Sequence, residues 1–213
     1  MNNFKGAIFD MDGTILDSIS VWDKIDVDFL SARGIAVPED YARAISTMTG
    51  EECAKYTIAR FNLSDTVKGL MDEWDERALF EYANNLSLKC GAKEYIKRLK
   101  ERGVKIALAT SSSKTLYTAA MKHTMVYDCF DAFISTDETG ISKRDPHVYV
   151  YAADMLGLDI KDCVIFEDVP TAVKTAKSTG ASVVCMWDER WDAFKAEMKL
   201  VADKYIYSFD EML

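Results

Sequence analysis

The stretch Phe9-Asp10-Met11-Asp12-Gly13-Thr14-Ile15-Leu16-Asp17-Ser18 decides how the rest of the chain is read. It opens on the last residue of a short apolar run, 6–9, whose unbroken hydrophobicity suits a strand buried on both faces. Open parallel sheets bind ligands beyond the carboxyl ends of their strands, so Asp10 and Asp12 stand where chemistry is expected. Two carboxylates two residues apart repel one another, and a hard divalent cation shared with a substrate phosphate offsets that repulsion. Mg²⁺ is the counter-ion this pattern calls for. Gly13 lets the chain turn away from the sheet, and Thr14 is placed to donate to a carboxylate or a phosphate. Read alone, the same letters also describe an acidic turn that caps an element.

Working outward, four further apolar runs at 105–109, 132–134, 163–166 and 182–186 have the same character. Helical patterns lie between them: 92–102 closed by Gly103, 114–123, 146–156 closed by Gly157, and 170–179 closed by Gly180. This alternation argues for a doubly wound α/β core with a parallel sheet covered on both faces. Residues 205–207 add a last short strand. About 95 residues separate the first run from the second, far more than a crossover needs. Within them only helical periodicity occurs: 21–33 closed by Gly34, a segment opened by Pro38, one opened at Thr49, and a long one from Ser64. Thr49 with Glu52 three residues on spells a capping box. The chain therefore divides into an α/β core, 1–17 and 85–213, and an inserted small helical lobe, 18–84, tethered at two points and expected to hinge there.

Composition narrows the function. The 213 residues carry 35 acidic against 26 basic side chains, a formal charge of -9 that opposes nucleic-acid binding. Five cysteines without CxxC spacing and two histidines fit neither a disulfide framework nor a structural zinc site. The first strand begins too early for a signal peptide, and no apolar run reaches the roughly 18 residues a membrane span requires. A cytoplasmic protein without membrane contact is expected.

The later strand ends supply complementary groups. The second ends in Thr110-Ser111-Ser112-Ser113-Lys114, hydroxyls leading into a helix N-terminus, where free N–H groups and the dipole favour an anion. That run reads as a phosphate cradle, or more simply as helix capping by Ser112 or Ser113. Lys143, after the third strand, would neutralise both a phosphoryl group and an attacking carboxylate, or lie solvated at the surface. The fourth ends in Phe166-Glu167-Asp168, acids that with Asp10 complete an oxygen-rich Mg²⁺ site or form an exposed acidic loop. Four successive strand ends carrying carboxylate, hydroxyl, lysine and carboxylates are a pattern chance rarely makes.

These four motifs, in order and spacing, resemble those of the haloacid dehalogenase superfamily phosphohydrolases, in the helical-cap branch that includes sugar phosphatases and β-phosphoglucomutases. The resemblance implies that Asp10 is the nucleophile and a metal ligand, forming an aspartyl-phosphate. It implies that Asp12 is general acid and then base, binding the metal through its backbone carbonyl. Thr14, Thr110, Ser111, Ser112 and Lys114 fall on the phosphate side, Lys143 on the transferring group, and Asp168 on Mg²⁺, with Glu167 a direct ligand or a group behind it. The implied substrate is a small phosphorylated metabolite, a sugar or polyol phosphate, handled by a monomer.

Departures are visible. Arg144 replaces a proline usual in this branch, which should loosen its loop and bring a cation near the substrate. Cys90 replaces another proline and is read as a buried structural thiol. The mutases carry an arginine in the cap that grips a second phosphate; Thr47-Met48-Thr49-Gly50 lacks it, although Arg43, Lys55 or Arg60 could supply the charge. Hydrolysis is thus favoured over phosphomutase chemistry. A receiver-like phospho-switch also combines acids, hydroxyl and lysine on such a sheet, but lacks an acid at the position of Asp12 and a lobe inserted after it.

Overall fold

A computed structural model describes residues 4–213. Six parallel strands, β1 (Gly6–Phe9), β2 (Lys105–Thr110), β3 (Ala132–Ser135), β4 (Cys163–Glu167), β5 (Ser182–Met186) and β6 (Lys204–Ile206), form one sheet in the order β3-β2-β1-β4-β5-β6. The first strand is central, with Phe9 beside Leu108 on one side and Phe166 on the other. Strand order departs in opposite directions from β1 and β4, so the crevice between their carboxyl ends is the switch point where ligands bind such sheets. The Asp10 amide extends the ladder by one residue, donating to the Phe166 carbonyl at 2.9 Å.

Alternation along β1 sends Ala7 and Phe9 into one core and Ile8 into another. The first face is aromatic: Phe9 stacks on Phe166 with centroids 4.4 Å apart, and Tyr95 of α5 (Ala92–Glu101) and Phe209 close around them. The second face is built of small residues, Ala107, Ala109, Val183 and Cys185, against which α8 (His147–Met155) and α9 (Pro170–Ser178) pack closely. Strands buried on both sides explain why the apolar runs were continuous rather than alternating.

Four helices lie between β1 and α5: α1 (Ile19–Ser31), α2 (Tyr41–Ile45), α3 (Gly50–Phe61) and α4 (Val67–Asn84). Thr49 caps α3 through the capping box with Glu52, at 3.1 and 2.9 Å. Their apolar side chains, including Phe29, Leu70, Trp74 and Ala78, join the aromatic core of the sheet, and α4 packs along α6 (Lys114–His123). The two connecting segments are tied together: the Asp17 amide donates to the Ser87 carbonyl and the Lys89 amide to the Ile15 carbonyl, at 3.0 and 2.9 Å.

Differences from the sequence-based expectation are local. Thr66 rather than Ser64 caps α4, and the last strand sits one residue earlier. The short helices α7 (Thr136–Thr139) and α10 (Lys195–Val201) were not anticipated, because one or two turns carry too little periodicity to register. Cys90 is exposed, its thiol donating to the Asp210 carboxylate at 3.1 Å, which corrects the expectation of a buried thiol. Among the described residues no helix is long and apolar enough to cross a membrane.

Candidate active site

Five of the expected residues converge at the switch point. Asp10, only 5% exposed, accepts from the Lys143 ammonium on one oxygen and from the Thr14 hydroxyl, 3.0 Å away, on the other. Thr14 also lies 2.9 Å from Asp168, tying the first motif to the fourth. Lys143 donates in turn to Glu167 at 2.7 Å. Gly13 makes this convergence sterically possible: its φ is +80°, and a Cβ there would stand 2.6 Å from an Asp168 oxygen.

The carboxylates are also held by Tyr149 and Trp191, which the sequence alone does not single out. Glu167 accepts from the Tyr149 hydroxyl at 2.9 Å and from the Asp168 and Val169 amides at 3.1 and 3.4 Å. The Trp191 indole N–H donates to Asp168 at 3.1 Å. Burial raises the pKa of Asp10, with Lys143 acting against it, and burial together with Asp10 and Glu167 pushes Asp168 well up. Burial also works against the Lys143 ammonium, yet Asp10 and Glu167 outweigh it and hold its pKa above the usual value. Asp10, Glu167 and Asp168 each offer an oxygen within 4.8 Å of the others, all buried. Three carboxylates facing one lysine in a low-dielectric site leave an excess of negative charge that a hard divalent cation fits.

Asp12 stands apart from this cluster. Half-buried, it accepts from Ser18 at 2.7 Å and from the Tyr82 hydroxyl on one oxygen, and from Ser112 at 2.7 Å on the other. The Tyr82 hydroxyl itself accepts from the Trp22 indole at 2.6 Å. Burial raises the Asp12 pKa, and the three hydroxyl donors oppose the rise. Tyr82 thus carries a contact from the end of α4 into the sheet's chemistry.

The hydroxyl run after β2 divides its tasks. The Thr110 hydroxyl is buried and accepts from the Ser112 amide at 3.0 Å, closing the turn, while Ser113 caps α6. The Ser111 hydroxyl is buried without a partner, an orphan that a phosphoryl oxygen would satisfy. Lys114 does not join the site: it is exposed and pairs with Glu138 at 3.6 Å, because the first turn of α6 points it outward. Arg144 reaches across to the lobe instead of into the cavity, donating to the Thr47 hydroxyl at 2.9 Å.

A cavity of about 200 Å³ lies over these residues. Asp12, Ser111, Ser112 and Asp168 form its sheet end, and Trp22, Asp26, Met48 and Trp74 line its lobe end. Asp26, 8% exposed on the buried face of α1, is pushed up to about 7 by burial, with the Arg190 guanidinium acting the other way. Tyr82, Tyr149 and Trp191 escaped the sequence reading because aromatics at helical spacing look like core. Asp26 did leave a signal, an acid four residues after Trp22 on the same face as Phe29 and Leu30.

Comparison with known proteins agrees with this geometry. A family model for haloacid dehalogenase-like hydrolases matches residues 4–180. Hexitol phosphatase B of Escherichia coli (strain K12) is 26% identical over 178 residues, 81% of this chain and 78% of that protein. A probable pseudouridine-5'-phosphatase of Saccharomyces cerevisiae is 30% identical over 199 residues, 84% of this chain and 81% of that one. The crystal structure of CbbY from Rhodobacter sphaeroides in complex with phosphate superposes with a TM-score of 0.83 at 22% identity, covering 98% of this chain and 96% of that one. The chain belongs to the haloacid dehalogenase-like hydrolases and is a phosphoric monoester hydrolase.

Proposed function

We propose that the protein is an Mg²⁺-dependent phosphatase of small sugar or polyol phosphates that works through an aspartyl-phosphate on Asp10. The observation that carries this reading is the contrast between adjacent carboxylates: Asp10 locked to Lys143 and Thr14, Asp12 held separately by hydroxyls at the cavity wall. Such a pair divides nucleophile from proton carrier. An Asp10 oxygen bonds to phosphorus as the ester P–O bond breaks, and Asp12 gives its proton to the departing oxygen. Water then attacks the phosphorus, Asp12 takes its proton, and inorganic phosphate leaves with Asp10 restored.

Lys143 neutralises the equatorial phosphoryl oxygens, and Ser111 and Ser112 hold the far side. Asp10, Asp168 and the Asp12 carbonyl would hold Mg²⁺, which supplies further charge neutralisation to the phosphoryl group. Glu167, already accepting from four donors, orients Lys143 and the Asp168 backbone. Helices α1–α4, residues 18–84, act as the cap that closes over the leaving group.

Phosphomutase chemistry is the weaker reading. Arg60 pairs with Asp40 and Lys55 with Glu51, and neither these nor Arg43 lines the cavity, so they offer no clamp for a second phosphate. A receiver-like switch has no use for Asp12 aimed at a cavity under a cap. Phosphate release from a panel of sugar, polyol and nucleoside monophosphates, with and without Mg²⁺, tests the proposal. Isomerisation of β-glucose 1-phosphate without net release would contradict it.

A further inference from the structure

The lobe end of the cavity holds two polar groups without a hydrogen-bond partner among the described residues. Asp26 is 8% exposed and lines the cavity, and no described residue donates a hydrogen bond to its carboxylate. The charge that acts on it, Arg190, has its guanidinium engaged with Asp23. The Trp74 indole N–H, on the facing helix α4, is buried with no acceptor. A buried polar group without a partner is costly, so an orphan acceptor and an orphan donor lining one cavity point to a ligand that supplies both.

A neutral group that both donates and accepts, such as a hydroxyl, does so; an ammonium only donates, and a carboxylate only accepts. The rest of the lining agrees. Asp75 and Asp137 add carboxylates to the walls, which opposes a second anion. The rings of Trp22, Trp74 and Trp191 offer apolar faces to the C–H side of a carbon chain or ring.

Resting on the phosphatase reading above, we propose that Asp26 and Trp74 are the leaving-group recognition residues, and that the substrate is the monophosphate of a neutral polyhydroxylated alcohol. Asp26 accepts from a leaving-group hydroxyl and Trp74 donates to one, while the chemistry proceeds at the other end of the cavity.

The test compares kcat and KM for four substrates: a hexitol monophosphate, an aminoalkyl phosphate, a phosphorylated hydroxy acid, and p-nitrophenyl phosphate, whose leaving group has no hydroxyl to donate. The wild type should favour the hexitol ester over the aminoalkyl and acidic esters by about a hundredfold in kcat/KM. Asp26→Asn should raise KM for the hexitol ester about tenfold with kcat little changed, and lower kcat/KM for p-nitrophenyl phosphate far less. Trp74→Phe, which keeps the ring, should do the same to a smaller extent. Thermal unfolding of Asp26→Asn should be unchanged or shifted upward, because a carboxylate kept only for fold would lower it on removal.

Preference for the aminoalkyl ester would mean ammonium recognition and overturn the proposal, as would preference for the acidic ester. Equal losses on hexitol and p-nitrophenyl esters would also overturn it, while leaving the phosphatase reading intact. Absence of turnover on all four esters with Mg²⁺ present would overturn the phosphatase reading itself, and this inference with it.

Discussion

The two ends of one cavity are built on opposite rules. At the sheet end every carboxylate is partnered before any ligand arrives: Asp10 by Lys143 and Thr14, Glu167 by four donors, Asp168 by Thr14 and Trp191. At the lobe end the buried Trp74 indole and the Asp26 carboxylate find no hydrogen-bond partner among the described residues. Groups that perform chemistry must be fixed in advance, because reorganising them during the reaction costs rate. Groups that recognise a substrate can be left wanting, because the ligand then supplies the missing partners and the wrong ligand does not. On the proposed function, the sheet end carries the reaction and the lobe end the selection.

Each end predicts a different mutational signature. Asp10→Asn should lower kcat by about a thousandfold or more with bound phosphate affinity largely kept, read by steady-state kinetics and phosphate binding. Retention of more than a few per cent of the activity would remove Asp10 as nucleophile. Lys143→Met should cost about 3–5 kcal/mol of stability, since it strands Asp10 and Glu167 together. Urea unfolding with and without Mg²⁺ checks this, and the loss should shrink when the cation is present.

Asp12→Asn should cut turnover of alkyl phosphates about a hundredfold and of activated aryl phosphates far less, because the second need no proton. Tyr82→Phe should reproduce a fraction of that pattern by freeing the Asp12 carboxylate, with a loss of about tenfold or less. Equal losses on both substrate types would detach Asp12 from leaving-group protonation.

The smallest effect concerns the lobe. The folded-state pKa of Asp26, about 7, lies above its ordinary 3.8, so folding holds its proton more tightly. Asp26 carries no charge penalty while protonated and increasingly destabilises the fold as pH rises between those values. Wild type should therefore lose stability relative to Asp26→Asn by about 1–3 kcal/mol on passing from roughly pH 5 to pH 8. A gap that stays constant across that range would show Asp26 to be paired.

Much of the sheet end was legible in the sequence. Asp10, Lys143, Glu167 and Asp168 could be found because a parallel sheet delivers strand ends to one edge, and each strand was marked by a continuous apolar run. Thr14 was legible as a donor and Gly13 as the turn. The supports were not: Tyr149 and Trp191 look like ordinary core residues until the fold brings their polar tips to Glu167 and Asp168. Lys114 failed because the helix phase, not the sequence position, decides where its side chain points. In the lobe, residues 18–84 were legible as helices and the Thr49 capping box held, but the facing of α1 against α4 depends on tertiary packing. The sequence alone therefore gives no sign that Asp26 and Trp74 line one cavity.

The decisive measurement is acid-quench mass spectrometry of the enzyme during turnover of a hexitol monophosphate with Mg²⁺. A phosphoryl group is expected on the peptide containing Asp10, appearing and decaying at rates that bracket kcat, and absent from Asp10→Asn. Steady phosphate release with no phosphorylated Asp10 peptide, at time resolution finer than one turnover, would contradict it.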